Sequence, residues 1–101
     1  MVMKMIETPS KLSSKAKSVE QVCAIPNAKV LNIQLRAGEE VAEHDSDKEV
    51  LIIVRKGKVR FTVEGTPVTV SEENILHMAP YEKHSLFAET DVDICVMQIK
   101  P

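Results

Sequence analysis

Three histidines carry the chemistry this sequence can offer: His44 in "AEHDSDKEV", His77 in "ILHM" and His84 in "EKHSLF". An imidazole can ligate a metal ion or exchange a proton near neutral pH. His44 stands among acids, yet His44 and Asp45 are not a catalytic dyad, because neighbours on a strand point to opposite faces. The paired carboxylates Glu39-Glu40 and Glu72-Glu73 fall in turn-like stretches, where solvated charge is the expected role. Cys23 and Cys95 lie far from any C-x-x-C spacing and from any histidine in sequence. They read as small buried hydrophobes of a reducing, cytoplasmic compartment. A disulfide between them would require the first and last strands to be neighbours. There is no glycine-rich phosphate loop and no G-x-S-x-G elbow.

The elements that must hold these histidines fit in one domain, residues 1–101. A chain of this size buries roughly 65% of its unfolded surface, enough for one modest core. Net charge is −2 with both signs interspersed, which gives no pull toward phosphate backbones or anionic membranes. With three aromatic residues and no tryptophan there is little to stack on bases, so we expect no nucleic-acid partner. No run approaches the roughly 20 apolar residues of a membrane span, and residues 1–11 lack the core of a secretory signal. We expect no membrane partner.

Residues 1–19 form a polar N-terminal extension. From residue 20 onward short strands follow one another: "EQVCAI", "KVLNIQLR", "VLIIVR", "KVRFTV", "TPVTV", "ILHMA", "HSLF" and "VDICVMQI". Such spacing with no long helical period predicts an all-β barrel or sandwich. Lys56-Gly57 and Glu64-Gly65 both suit two-residue hairpin loops. The first would set Val54 opposite Val59, Ile52 opposite Phe61 and Val50 opposite Val63. The second would set Phe61 opposite Val68 and Val59 opposite Val70. Both place these residues on one buried face, with Arg60, Thr62 and Thr69 on the other. Leu51 and Ile53 then need cover of their own, from another element or from a second copy of the chain, so a homodimer is expected.

These residues resemble the cupin superfamily. Gly38, five intervening residues, His44 and a closing Gly57 follow its first motif; Glu73, Ala79-Pro80-Tyr81 and His84 fall along its second. The resemblance covers roughly residues 28–99 and implies a double-stranded β-helix (jelly-roll) barrel. It also implies a metal centre of three histidines and a glutamate around one divalent transition ion such as Zn, Ni, Fe or Mn. The departures are as informative. Ser46 stands at the second histidine of the first motif, Tyr81 at a glycine, Ala88 at an asparagine, and Val50 at the glutamate, with Glu49 one residue early. Because Val50 shares its face with Ile52 and Val54, Glu49 points away from them unless a β-bulge intervenes.

The tentative metal ligands are therefore His44 and His84, with Glu49 and His77 as weaker candidates and low occupancy expected. His77 faces the same way as Ile75. Outward, the reading we favour, it is a surface group; inward, it would replace a lost ligand. Without metal, the two imidazoles would be hydrogen-bonded to neighbours such as Asp45 or Glu82. The pocket is expected to be lined by Ser46, Val50, Ile52, Phe61, Met78 and Leu86. Three functions fit: a stand-alone cupin binding a small molecule over an incomplete metal site, with catalysis left open by the sequence; a metal-dependent dioxygenase, isomerase or decarboxylase using His44 and His84; or a ligand-sensing or interaction module, too short to carry its own DNA-binding domain.

Overall fold

Alternating apolar residues between glycine and asparagine turns build nine strands among the described residues, 3–101 of the computed structural model. They are β1 (Lys17–Ile25), β2 (Ala28–Leu35), β3 (Glu40–His44), β4 (Glu49–Lys56), β5 (Val59–Val63), β6 (Thr66–Val70), β7 (Ile75–Met78), β8 (His84–Ala88) and β9 (Val92–Ile99). No helix occurs among the described residues, so none is long and apolar enough to cross a membrane. A five-stranded sheet runs β1-β2-β9-β4-β7 and a four-stranded sheet runs β3-β8-β5-β6. Every pairing is antiparallel.

The registers stack the inward side chains in rows. In the larger sheet Ile33, Ile94 and Val54 form one row, Leu31, Val96 and Ile52 the next, and Gln98, Val50 and Met78 the row beyond. In the smaller sheet Ala88, Val59 and Val70 form one row, then Val41, Leu86, Phe61 and Val68, then His44, His84 and Val63. The interior is thus apolar until its last rows, where the histidines and Gln98 enter. Phe61, Ile52, Ile94 and Val59 are almost wholly buried.

The Glu64-Gly65 hairpin forms as expected, with Phe61 opposite Val68 and Val59 opposite Val70. The Lys56-Gly57 hairpin does not. β4 pairs with β7 and β9, and the chain leaves the larger sheet at Gly57 to enter the smaller one. The expected inward residues survive this correction, because side-chain alternation does not depend on which strand is the neighbour. The corner is held by long-range bonds instead: Lys58 N–H donates to Thr90 Oγ1 (3.0 Å) and Glu89 N–H to the Lys58 carbonyl (3.1 Å).

The sheet begins at Lys17, ahead of the expected barrel, and residues 3–16 contain no strand. This arm lies on the outer side of the larger sheet. The buried Gln34 amide donates to the Pro9 carbonyl (2.9 Å) and accepts from Lys11 N–H (2.7 Å), and the Arg55 guanidinium reaches the Thr8 carbonyl (3.2 Å). Cys23 and Cys95 are half-buried and free, on β1 and β9 with β2 between them, so the first and last strands are not neighbours.

Gly57 and Gly65 both hold positive φ, 92° and 81°, but their surroundings differ. A Cβ on Gly57 would lie 2.2 Å from the Asp91 carbonyl oxygen and 2.6 Å from Thr90 Oγ1, whereas one on Gly65 meets nothing within 4 Å. Gly65→Ala is expected to cost about 1 kcal/mol, the left-handed penalty alone. Gly57→Ala is expected to cost more than about 2 kcal/mol, since backbone must also move. Urea unfolding of both variants checks the order.

Candidate ligand-binding site

His44 faces the interior because of one extra residue. Val41 pairs with Leu86 and His44 with His84, so three steps along β3 match two along β8. Plain alternation from the inward Val41 would aim Glu43 inside and His44 outside. The bulge at Ala42-Glu43 reverses that, as bulges beside binding sites commonly do. It is stabilised by the residue it redirects, since His44 Nδ1 lies 3.0 Å from the Ala42 carbonyl. His84 makes the same contact with the Glu82 carbonyl, also 3.0 Å. The two rings meet edge to face with centroids 4.3 Å apart.

These contacts fix the tautomers. A carbonyl can only accept, so each Nδ1 carries a proton and donates, which in the neutral ring leaves Nε2 as a bare acceptor. The bonds run to backbone carbonyls rather than to the side chains of Asp45 or Glu82. His84 is 6% exposed; His44 is exposed at the rim.

Below the rings lies a cavity of about 140 Å³. Of the expected lining residues, Ser46, Val50, Ile52, Phe61 and Leu86 face it, as do both histidines. Met78 does not: paired with Val50 at the end of β7, it is buried within the core. Val19, Leu31, Ile33, Val41, Val96 and Gln98 complete the wall. Except for Val41 on β3, they were missed because β1, β2 and β9 reach the pocket only through long-range pairing. The alternation of Leu31 and Ile33 was the available signal.

Glu49 and His77 lie elsewhere. The β4 register with β9 runs unbroken from Glu49 to Val54, so no bulge turns Glu49 inward. It emerges on the outer face of the larger sheet, where its Oε2 is 2.6 Å from His77 Nε2. The structure joins these two candidates to each other and not to His44 and His84.

Tyr81, at the motif's glycine position, holds φ 68° and donates its N–H to the Ser46 carbonyl (2.7 Å). The backbone there keeps the conformation a glycine would take, at a cost of about 1–3 kcal/mol for a bulky residue. That bond ties the loop before His84 to the loop after His44.

The family model for the AraC-like ligand binding domain matches residues 33–101. The chain belongs to that family. Among solved structures, this AraC-like domain is similar to an RmlC-like cupin with a double-stranded β-helix fold from Methanocaldococcus jannaschii. That likeness has a TM-score of 0.85 at 24% identity and covers 99% of this chain and 93% of the other. An RmlC-like cupin from Desulfovibrio desulfuricans gives 0.82 at 20%, covering 98% and 96%. Salicylate 1,2-dioxygenase from Pseudoaminobacter salicylatoxidans gives 0.77 at 18%, over 83% of this chain and 25% of the enzyme. At these identities the likeness establishes the fold, a cupin barrel. No curated protein matches the sequence.

The residues present do not fit the four-donor metal centre that the fold suggests. Among the described residues no three His, Cys, Asp or Glu side chains converge. The glutamate position is Val50, 3% exposed and packed in the core. Ser46 offers a neutral hydroxyl, a weak donor that already accepts from Lys48 N–H (3.1 Å). Two imidazoles alone hold an ion weakly.

Burial is the main influence on His84 and lowers its pKa from the ordinary 6.5, with the nearby His44 adding in the same direction. The bond to the Glu82 carbonyl and the charges of Asp45 and Glu82 oppose this. With the folded pKa below the unfolded one, the unfolded chain binds the proton more readily as pH falls. Stability is therefore full above the unfolded value of 6.5 and declines as pH falls from there through the lower folded value. The slope for one proton is at most about 1.4 kcal/mol per pH unit. Denaturant unfolding between neutral and mildly acidic pH should show the decline in the native chain, and a shallower one in His84→Gln.

Proposed function

We propose that this cupin domain binds a small molecule in the cavity beneath His44 and His84, over an incomplete metal site and without catalysis. The observation that carries this reading is the donor set: two inward imidazoles above apolar walls, with Glu49 and His77 engaged outside. Pockets that hold ligands are commonly of this kind, mostly apolar with a few converging polar groups. A metal-dependent reaction of the dioxygenase, isomerase or decarboxylase type would need a third protein donor at the pocket.

Membership of the AraC-like ligand binding domain family favours one further reading, that occupancy of the pocket is sensed by a partner protein. The free cysteines are consistent with a cytoplasmic setting.

The domain is proposed to act as a homodimer. The arm covers only one end of the larger sheet's outer face. Val30, Met97, Leu51, Ile53 and Ile99 remain half-buried there, beside Ile75 at 63% and Ile25 at 61% exposure. A second copy would bury this surface.

Two outcomes test these readings. Elemental analysis of untagged protein should give well under one metal per chain, and His44→Ala should fold normally. A stoichiometric metal lost in His44→Ala would overturn the incomplete-site reading. Light scattering should return twice the 11.2 kDa chain mass, shifting toward one in Ile53→Glu; a monodisperse monomer of the native chain contradicts the dimer.

A further inference from the structure

The size and polarity of the pocket constrain what it can take. Its volume, about 140 Å³, is close to the roughly 150 Å³ of an engineered apolar cavity that admits benzene. A nucleotide does not fit in that space, and walls such as Ile33, Ile52, Phe61 and Leu86 offer the ring of hydroxyls on a sugar no partners. One small ring, or a branched chain of similar bulk, fills it.

The polar end has a definite sense. Both Nδ1–H groups are committed to backbone carbonyls, so in the neutral rings both Nε2 atoms accept and neither donates. No protein group among the described residues bonds to either Nε2. A carboxylate or phosphate there would meet two lone pairs. A hydroxyl would instead donate to one. The Gln98 side chain lies on the same row as Val50, lines the cavity and makes no side-chain hydrogen bond among the described residues. Its amide offers N–H donors on that wall, the kind of group a hydroxyl's lone pairs accept from.

We propose that the ligand is a compact apolar molecule of about one ring with a hydroxyl head, phenol-like in chemistry, seated with its ring against Phe61 and Ile52 and its O–H donated to the imidazole pair. This rests on the preceding reading that the pocket binds a small molecule, and deepens it by naming the class. A single well-made hydrogen bond of this kind is worth about tenfold in affinity over a partner that cannot donate.

The test uses three probes on the native protein: phenol, toluene and benzoate. Toluene matches phenol in size without the donor; benzoate carries an anionic head. Calorimetric titration ranks them, and long-range proton–nitrogen correlation spectra read the histidine nitrogens directly. The expected result is phenol about tenfold tighter than either of the others. Both rings should appear as the Nδ1–H tautomer, and an Nε2 resonance should move on adding phenol but not toluene. The phenol preference should shrink in His44→Leu, a rim substitution that leaves the core intact. Toluene binding as well as phenol, with no Nε2 response, would overturn the hydroxyl head while leaving the pocket. Benzoate binding tightest would overturn it in favour of an anion. Binding of none of the three would overturn the pocket reading and this inference together.

Discussion

Three side chains on one strand, Val50, Ile52 and Val54, decide which way the surrounding groups face. Each is at least 96% buried in the core. Bringing Glu49 inside would turn at least Val50 out of the core, at roughly 1.5–3 kcal/mol, and would break the register with β9 that runs unbroken from Glu49 to Val54. One carboxylate's contact with a metal would have to outweigh that lost burial and pairing, besides its own desolvation. β4 therefore keeps its glutamate outside, where His77 receives it.

β3 has the opposite arrangement. It is a short strand whose Glu40, Ala42, Glu43 and His44 are exposed, so little apolar burial resists an extra residue. The bulge costs little and His44 turns inward. One histidine enters through a local irregularity, while the nearby acid is kept out by a regular strand. The pocket's polar end is a consequence of that contrast. A layered interior beneath it leaves an apolar hollow ending in two acceptor nitrogens, a surface suited to holding a small molecule.

Much of this was legible in the chain. The alternation in β2, β4, β5 and β6 marked the buried faces, and the Glu64-Gly65 turn set the β5–β6 register. The offset of Glu49 from Val50 signalled the fate of the glutamate. The partners of β4 were not legible: "VRKGKVR" reads locally as a hairpin, and only Thr90 and Asp91, far along the chain, make it a corner between sheets. The bulge at Ala42-Glu43 was hidden too, because neither residue marks one. Motif spacing indicated an inward His44, where alternation from Val41 would have indicated the reverse. Gln98 escaped notice because its place in the wall follows from pairing with Val50, not from its neighbours in sequence.

The most direct test of the central claim is a crystal structure grown with millimolar zinc and its anomalous difference map. The account predicts that any ion near His44 and His84 has those two nitrogens as its only protein ligands, with Glu49 still paired to His77 on the outer face. An ordered ion gripped by both rings and the Glu49 carboxylate, with β4 bulged to bring it inside, would contradict it.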